Sequence, residues 1–155
     1  MNVSISRGDV SDPRIVSLVE RHLIRARAET APGSAHALDV SELRAAEISL
    51  WAAWNAGTLV GVAALKRLSP QHGELKSMYT AEHARRQGVA RALLQHILTE
   101  ARDSGLARLS LETGSWDYFE PARALYRSFG FRDCNPFASY KPDPHSVFMT
   151  LELRP

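Results

Sequence analysis

The centre of the chain carries the pattern of a long amphipathic helix, set between two stretches that alternate as strands. Its apolar residues recur at intervals of three and four, and Gly105 follows where a glycine commonly ends a helix. Residues 74–80 precede the helix and residues 106–113 follow it, and both favour strands. A strand, a helix and a strand in succession indicate a sheet with the helix packed on one face. The apolar face consists of Val89, Leu93, Leu94, Ile97, Leu98 and Ala101.

Further elements extend this unit in both directions. Asp12 followed by Pro13 predicts the start of a helix, and Pro121 opens another. Asp39 and Glu42 have the spacing of a helix-capping pair, which predicts a short helix through residue 43. This order of elements predicts an α+β fold, in which helices flank a mixed sheet. The other strands are predicted at residues 3–5, 49–54, 59–65 and 147–153, with a hairpin turn at 55–58.

The composition is that of an ordinary globular domain, and it argues against two classes of function. The 155 residues are 45% hydrophobic and 23% charged, so we expect one ordered domain over residues 1–155. The formal net charge of +2 is small for a nucleic-acid-binding protein. No apolar run approaches the roughly 18 residues that a membrane span needs. We therefore expect neither nucleic acid nor a membrane as a partner.

The cysteine and histidine content limits the redox and metal chemistry. Cys134 is the single cysteine, so it cannot form an internal disulfide, and it predicts a reducing compartment, taken here as the cytoplasm. The six histidines are scattered, and no two have the spacing of a metal-binding pair on a helix. We therefore expect no metal site.

The sharpest local feature is the segment Arg85-Arg86-Gln87-Gly88-Val89-Ala90-Arg91, which links a predicted strand to the central helix. Gly88 permits backbone torsions that other residues resist, and it leaves room for a ligand close to the backbone. The first N–H groups of a helix lack internal partners and attract anions, and the arginines add positive charge. The segment fits a pyrophosphate site, although a plain strand-to-helix turn with a solvated basic flank has the same pattern.

Two motifs in this half of the chain resemble those of the GNAT N-acetyltransferase superfamily. Arg85-x-x-Gly88-x-Ala90 resembles the acetyl-coenzyme A pyrophosphate motif of that family. Ala122-Arg123-Ala124-Leu125-Tyr126-Arg127-Ser128-Phe129-Gly130-Phe131 resembles its Ala-x-x-Leu-Tyr-x-x-x-Gly-Phe segment. One helix and one strand separate the two motifs, as in the family. The resemblance implies a mixed, mostly antiparallel central sheet of about six or seven strands, flanked by about four helices.

The resemblance also implies an activity. The expected reaction is transfer of an acetyl group from acetyl-coenzyme A (acetyl-CoA) directly to an amine, without an acyl-enzyme. A small molecule is the expected acceptor because the region that borders it is short, and a protein or peptide amine is the alternative. A non-catalytic acyl-CoA-binding module would also explain the phosphate turn. Members of the superfamily often pair, so a homodimer is a candidate assembly.

The donor contacts follow from the same resemblance. Backbone N–H groups of residues 86–91 would hold the pyrophosphate, and the strand around Met78 and Tyr79 would pair with the pantetheine arm. Phe119 stands where the family often has an asparagine that touches the donor, so we expect apolar packing on the pantetheine there. The full set of expected donor contacts is Met78, Tyr79, Arg85, Arg86, Gln87, Gly88, Val89, Ala90, Arg91, Phe119 and Ala122.

The proton transfers have three candidate side chains. The resemblance implies that the Tyr126 hydroxyl protonates the departing sulfur, whereas periodicity alone makes Tyr126 a core aromatic. Glu74 is the candidate base, on the expectation that residues 74, 76 and 78 share one face of a strand. Surface pairing of Glu74 with Lys76 or Lys66 is the alternative. Glu112, on the next strand, is the competing base or a buried structural carboxylate, and the base need not be a side chain.

The resemblance implies that the acceptor lies beside the first two predicted helices and the segment from Phe137 onward. Two prolines stiffen that segment into an ordered loop. The candidate acceptor contacts are Arg25, Arg27, Glu29 and His36, each of which also suits a solvated helix face.

Overall fold

The computed structural model describes residues 2–153, in which seven strands form one sheet. The strands are β1 (Ser4–Arg7), β2 (Ile48–Asn55), β3 (Thr58–Arg67), β4 (His72–Thr80), β5 (Arg108–Gly114), β6 (Arg132–Asp133) and β7 (Ser146–Glu152). Their order across the sheet is β1-β2-β3-β4-β5-β7-β6, and the β4–β5 pair is parallel while the other pairs are antiparallel. The predicted mixed, mostly antiparallel sheet is confirmed.

Three α-helices lie within residues 2–153, rather than about four: α1 (Pro13–Ala28), α2 (Val89–Asp103) and α3 (Glu120–Ser128). The helix expected at residues 39–43 is replaced by the 3₁₀ turn Glu42–Arg44. Asp39 and Glu42 do form the predicted capping pair, with the Glu42 amide donating to Asp39 Oδ1 at 2.7 Å. The helix stops there because the backbone is already extended at Ala45, with φ −61° and ψ 145°.

The helices cover both faces of the sheet. α2 buries Leu93, Leu94 and Ile97 against one face in a cluster that includes Trp51, and we call this the α2 face. α1 buries Ile15, Leu18 and Val19 against the other face in a cluster that includes Leu50, and we call this the α1 face. Neighbouring residues of a strand therefore go to opposite clusters, as strand geometry requires. Among the described residues, no helix has the length and apolar character to cross a membrane.

β4 and β5 part halfway along their length. Their pairing runs from His72 with Arg108 to Leu75 with Leu111 and then stops. Beyond this point the two facing strand edges have backbone groups without a strand partner. β4 also carries a bulge, because Ser77 has a left-handed φ of +54° and the register against β3 shifts there. The parallel pair thus opens into a split toward its C-terminal end.

Candidate functional site

A cleft occupies the split between β4 and β5, and residues from both faces of the sheet line it. Its cavity volume is about 100 Å³. A continuous sheet keeps groups on its two faces apart, so the split is where such groups can act on one molecule. The lining includes Met78, Phe119, Ala122 and Tyr126 together with His22, His36, Glu74, Lys76 and Glu112.

The bulge in β4 overturns the prediction that residues 74, 76 and 78 share one face. Leu75 and Met78 both pack on the α2 face, so Glu74 leaves β4 on the opposite face from Met78. The extra residue at Ser77 reverses the alternation at this point. Tyr79 is buried on the α1 face, and we expect any donor contact from it to come through its backbone.

Glu74 is buried in a cluster with Lys76 and Tyr140. The alternative of a pair with Lys76 is therefore present, but the pair is buried and does not lie on the surface. The exposed fraction of Glu74 is 2%. Its Oε2 accepts hydrogen bonds from Tyr140 Oη at 2.6 Å and from Lys76 Nζ at 3.1 Å. Lys76 Nζ also donates to Tyr140 Oη at 2.8 Å. Burial and the Glu74 carboxylate raise the pKa of Tyr140, which therefore stays a neutral donor.

Glu112 stands on β5, one residue beyond the last β4–β5 pair. Leu111 packs on the α2 face, so the Glu112 side chain leaves β5 on the α1 face, as Glu74 leaves β4. Burial raises the pKa of Glu112 to about 7. A carboxyl group with such a pKa can take up and release a proton near neutrality.

Tyr126 faces the cleft from the α2 side of the split. It is buried on α3, and its ring centroid lies 5.8 Å from that of Phe131. No group of residues 2–153 forms a hydrogen bond with its hydroxyl. Burial, and the nearby Glu112 carboxylate, raise the pKa of Tyr126, so the phenol stays protonated. A neutral hydroxyl without a partner is available to donate to a ligand atom in the cleft.

The turn before α2 presents free backbone N–H groups. Arg86 and Gly88 have left-handed φ values of +62° and +85°, and α2 begins at Val89. The N–H groups of residues 86–91 have no partner among the described residues. A Cβ added to Gly88 would meet nothing within 4 Å, so the space beside the turn is open. Free N–H groups at a helix N-terminus bind anions. The Val89 side chain is buried in the core, which leaves its N–H for a ligand.

The arginines of this turn differ in whether their side chains contact other residues. Arg85 donates to Tyr118 Oη at 3.1 Å. The Arg91 guanidinium lies 5.1 Å from the ring centroid of Phe129. Arg86 is exposed and has no ion-pair partner among the described residues, so its charge is free to meet a phosphate. Gln87 is exposed, and Ala90 is half-buried in the first turn of α2.

Arg123 fixes the loop that carries Phe119 to the cleft. It is buried on α3, donates to the Gly114 carbonyl oxygen, and pairs with Glu120 at 2.7 Å. The Phe119 ring packs directly on Gly114, where any Cβ would lie well inside van der Waals contact with the ring. These contacts place Phe119 and Ala122 in the cleft wall.

We expect Gly114→Ala to displace Phe119 and to weaken both folding and donor binding. Relieving the overlap requires movement of the ring or the loop, which typically costs about 1–3 kcal/mol in a packed site. Urea unfolding and calorimetric titration with coenzyme A measure the two effects. In a Phe119→Ala background the same glycine substitution should cost less, because the overlapping ring is gone. Equal costs in the two backgrounds would contradict this role of Gly114.

Of the four predicted acceptor contacts, His36 lines the cleft. Its ring meets the Tyr140 ring edge-on, with centroids 5.1 Å apart. Arg25 and Glu29 pair with each other at 3.6 Å near the end of α1, and Arg27 is exposed. The structure therefore brings His36 to the cleft but not these three. Within residues 2–153, no group of three or more His, Cys, Asp and Glu side chains is arranged to hold a metal ion.

His22 and Arg123 contribute to the site although the sequence-based predictions give them no individual role there, whereas Tyr140 lies in the segment after Phe137 that is expected to border the acceptor. Burial lowers the pKa of His22 to about 4, so it lines the cleft as a neutral ring beside Tyr79. Arg123 lies within one helical turn of Tyr126. Its position as a charged residue beside the apolar face of this helix was the one sequence signal for it. The hydrogen bond between Tyr140 and Glu74 had no sequence signal, since the two residues are 66 positions apart.

Comparison with known proteins agrees with this geometry. The sequence matches the family model described as acetyltransferase (GNAT) family over residues 18–131. It is 52% identical over 145 residues to the uncharacterized N-acetyltransferase YsnE of Bacillus subtilis (strain 168), covering 94% of this chain and 96% of that protein. It is 39% identical over 154 residues to the IAA acetyltransferase of Azospirillum brasilense, covering 98% of this chain and 99% of that protein.

Solved structures show the same fold. A proposed acyl-CoA N-acyltransferase from Klebsiella pneumoniae superposes with a TM-score of 0.82 at 30% identity, covering 98% of each chain. A GNAT family acetyltransferase from Elizabethkingia anophelis, solved with acetyl-CoA bound, superposes with a TM-score of 0.71 at 18% identity. The match covers 97% of this chain and 98% of that chain, and at this identity it bears on the fold alone.

Proposed function

The chain belongs to the acetyltransferase (GNAT) family of enzymes, which use acetyl-CoA, and from this we propose that it acetylates a small-molecule amine by direct transfer in the split between β4 and β5. The observation that carries the proposal is the position of the free N–H groups of residues 86–91. They follow β4 after one short 3₁₀ turn, Glu82–Ala84, at the end of the strand where its edge toward β5 is unpaired. One substrate can therefore meet an anion site at the turn and backbone groups along the strand.

The residues of the split suit acetyl-CoA as this substrate. The N–H groups of residues 86–91, with the free charge of Arg86, would hold the pyrophosphate. The unpaired edge of β4 around Met78 would pair with the amide groups of the pantetheine arm. Phe119 and Ala122 would supply the apolar wall, and the Tyr126 hydroxyl would donate to the sulfur as it leaves.

The position of Cys134 supports direct transfer over an acyl-enzyme. Its amide pairs with the Phe148 carbonyl oxygen beside β7, and it does not belong to the described lining of the cleft. Burial raises the pKa of its thiol, which keeps the thiolate, the reactive nucleophile, scarce. The acceptor amine itself is then the nucleophile.

The size of the cleft supports a small acceptor. The volume of about 100 Å³ is well below the range of roughly 300–1,000 Å³ that is typical of pockets for drug-sized ligands. His36 lines the cleft, and the Tyr140 ring meets the His36 ring edge-on.

A panel of amines tests the proposed function. Thiol release from acetyl-CoA should rise at least about tenfold over the amine-free blank for one class of small amines, and not for short peptides with free N-termini. Product mass should show one added acetyl group on nitrogen. Turnover restricted to peptides would contradict the small acceptor. Tight acetyl-CoA binding without turnover on any amine would contradict catalysis.

Two further proposals concern location and assembly. The single cysteine supports a cytoplasmic location, where thiols stay reduced. A homodimer is proposed on the family resemblance, and sedimentation equilibrium at micromolar concentration tests it by mass.

A further inference from the structure

Glu74 and Glu112 both reach the cleft on the α1 face, but their bonding differs. Glu74 Oε2 is held by Tyr140 Oη at 2.6 Å and by Lys76 Nζ at 3.1 Å. Both partners donate to the same oxygen inside a buried cluster, so Glu74 is engaged in holding Lys76 and Tyr140. This bonding suits a positioning role for Glu74.

Glu112 occupies the more favourable place for proton removal. It is the first β5 residue beyond the last pair with β4, so it stands at the apex of the split. Tyr126 lies on the opposite face of the sheet at the same cleft. A thioester held in the split would then have Glu112 on the side of the entering amine and Tyr126 on the side of the leaving sulfur.

We propose that Glu112 is the general base for the acceptor amine, and that Glu74, Lys76 and Tyr140 form a positioning cluster that holds the β6–β7 loop against β4. The assignment rests on the proposed acetyl transfer. It resolves the choice between the two carboxylates by their bonding and by their place relative to the split.

In the proposed reaction the acceptor nitrogen loses two protons, one C–N bond forms and one C–S bond breaks. The amine enters as an ammonium ion and loses one proton to Glu112, which later releases it to solvent. The freed nitrogen lone pair forms a C–N bond with the thioester carbonyl carbon, and the C–S bond breaks with its electron pair on sulfur. Tyr126 gives its proton to the sulfur. The second proton that the nitrogen loses restores the Tyr126 hydroxyl, so the products are the N-acetyl amine and free thiol.

The charges around Glu112 set the pH at which it acts. Burial is the largest cause of the rise in the pKa of Glu112 to about 7. The negative charges of Glu74 and Asp143 contribute to this rise, whereas the Ser146 hydroxyl and the positive charge of Lys76 oppose it. The ionised form is therefore present at and above neutral pH. Other titratable groups that line this cleft are His22, His36 and Tyr126, and Tyr140 is hydrogen-bonded to Glu74.

The test compares kcat at saturating substrates from about pH 5.5 to 9 for wild type, Glu112→Gln and Glu74→Gln. Wild-type kcat should rise with pH through about 7, the pKa of the base. In Glu112→Gln we expect kcat to fall by about 100-fold and the rise near pH 7 to disappear. Glu74→Gln should lose less than about tenfold and keep the rise, since positioning and not proton transfer is impaired.

Folding is monitored by the melting temperature of the same variants at pH 8. Burial raises the pKa of Glu112 in the folded state, so ionisation weakens the fold as the pH rises through about 7. Neutral glutamine avoids this loss, and the melting temperature of Glu112→Gln should equal or exceed that of wild type.

Three outcomes would overturn the assignment. They are a Glu112→Gln enzyme that keeps the rise and most of its kcat, a Glu74→Gln enzyme that alone loses the rise, and a Glu112→Gln protein that melts lower than wild type at pH 8. A wild-type protein with no turnover on any amine would instead refute the proposed function.

Discussion

Replacing Tyr126 with phenylalanine is expected to lower kcat by about 100-fold or more while the KM for acetyl-CoA changes little. We propose that this hydroxyl protonates the leaving sulfur, and without it the thiolate would leave unassisted. Because burial raises the pKa of Tyr126, the phenol stays protonated and can donate at any pH used for the assay. Steady-state kinetics with a good acceptor amine measure the effect.

The stability of the Tyr126→Phe protein separates chemistry from folding. The hydroxyl has no hydrogen-bond partner among residues 2–153, so its removal leaves no polar group unpaired. We expect the melting temperature to stay level or to rise slightly. Tyr118→Phe is the matched control, since it removes a neighbouring hydroxyl that bonds Arg85 and should change kcat less than about threefold. Similar kcat losses in both variants would remove Tyr126 from the acid role.

Substituting Gly88 with alanine is expected to weaken coenzyme A binding by about tenfold or more, which corresponds to about 1.4 kcal/mol. Gly88 holds a φ of +85°, where a Cβ costs about 1–2 kcal/mol. We expect relaxation of this strain to reorient the free N–H groups of residues 86–91, and the new methyl group would occupy the open space beside the turn. Calorimetric titration with coenzyme A measures the change in affinity.

Gly57 offers a closely matched control for this strain. It lies in the β2–β3 hairpin with a φ of +83°, and a Cβ there also meets nothing within 4 Å. Gly57→Ala should therefore lower stability by a similar amount and leave coenzyme A affinity within about twofold of wild type. Equal losses of affinity in Gly57→Ala and Gly88→Ala would show that general destabilisation, and not the phosphate turn, explains the effect.

The parts of the fold that depend on local pattern were predictable. The apolar stripe of α2 and the start of α1 at Pro13 lie where the sequence places them, because periodicity and capping act within a few residues. The Asp39–Glu42 pair shows the limit of such signals. The predicted cap forms, but a cap lowers only the cost of starting a helix, and the chain turns extended at Ala45.

The geometry of the site was less predictable because it depends on one irregular residue and on distant contacts. The bulge at Ser77 shifts the alternation of side chains along β4 by one residue. A regular alternation therefore places Met78 on the same face as Glu74, whereas Met78 lies on the opposite face. No spacing rule identifies Ser77, a non-glycine residue with positive φ. The Glu74 cluster depends on Tyr140, which tertiary folding alone brings to β4. The turn at residues 86–91 is local, and there the predicted strand, turn and helix are all present.

Direct transfer is tested most directly by following the protein mass, free thiol and product when the enzyme meets acetyl-CoA first and the amine second. We expect the protein mass to stay unchanged with acetyl-CoA alone and thiol release to stay at the background rate. Addition of the amine should then yield one N-acetyl product for each thiol released. An acetylated protein that forms before the amine is added, and that passes its acetyl group to the amine, would contradict direct transfer.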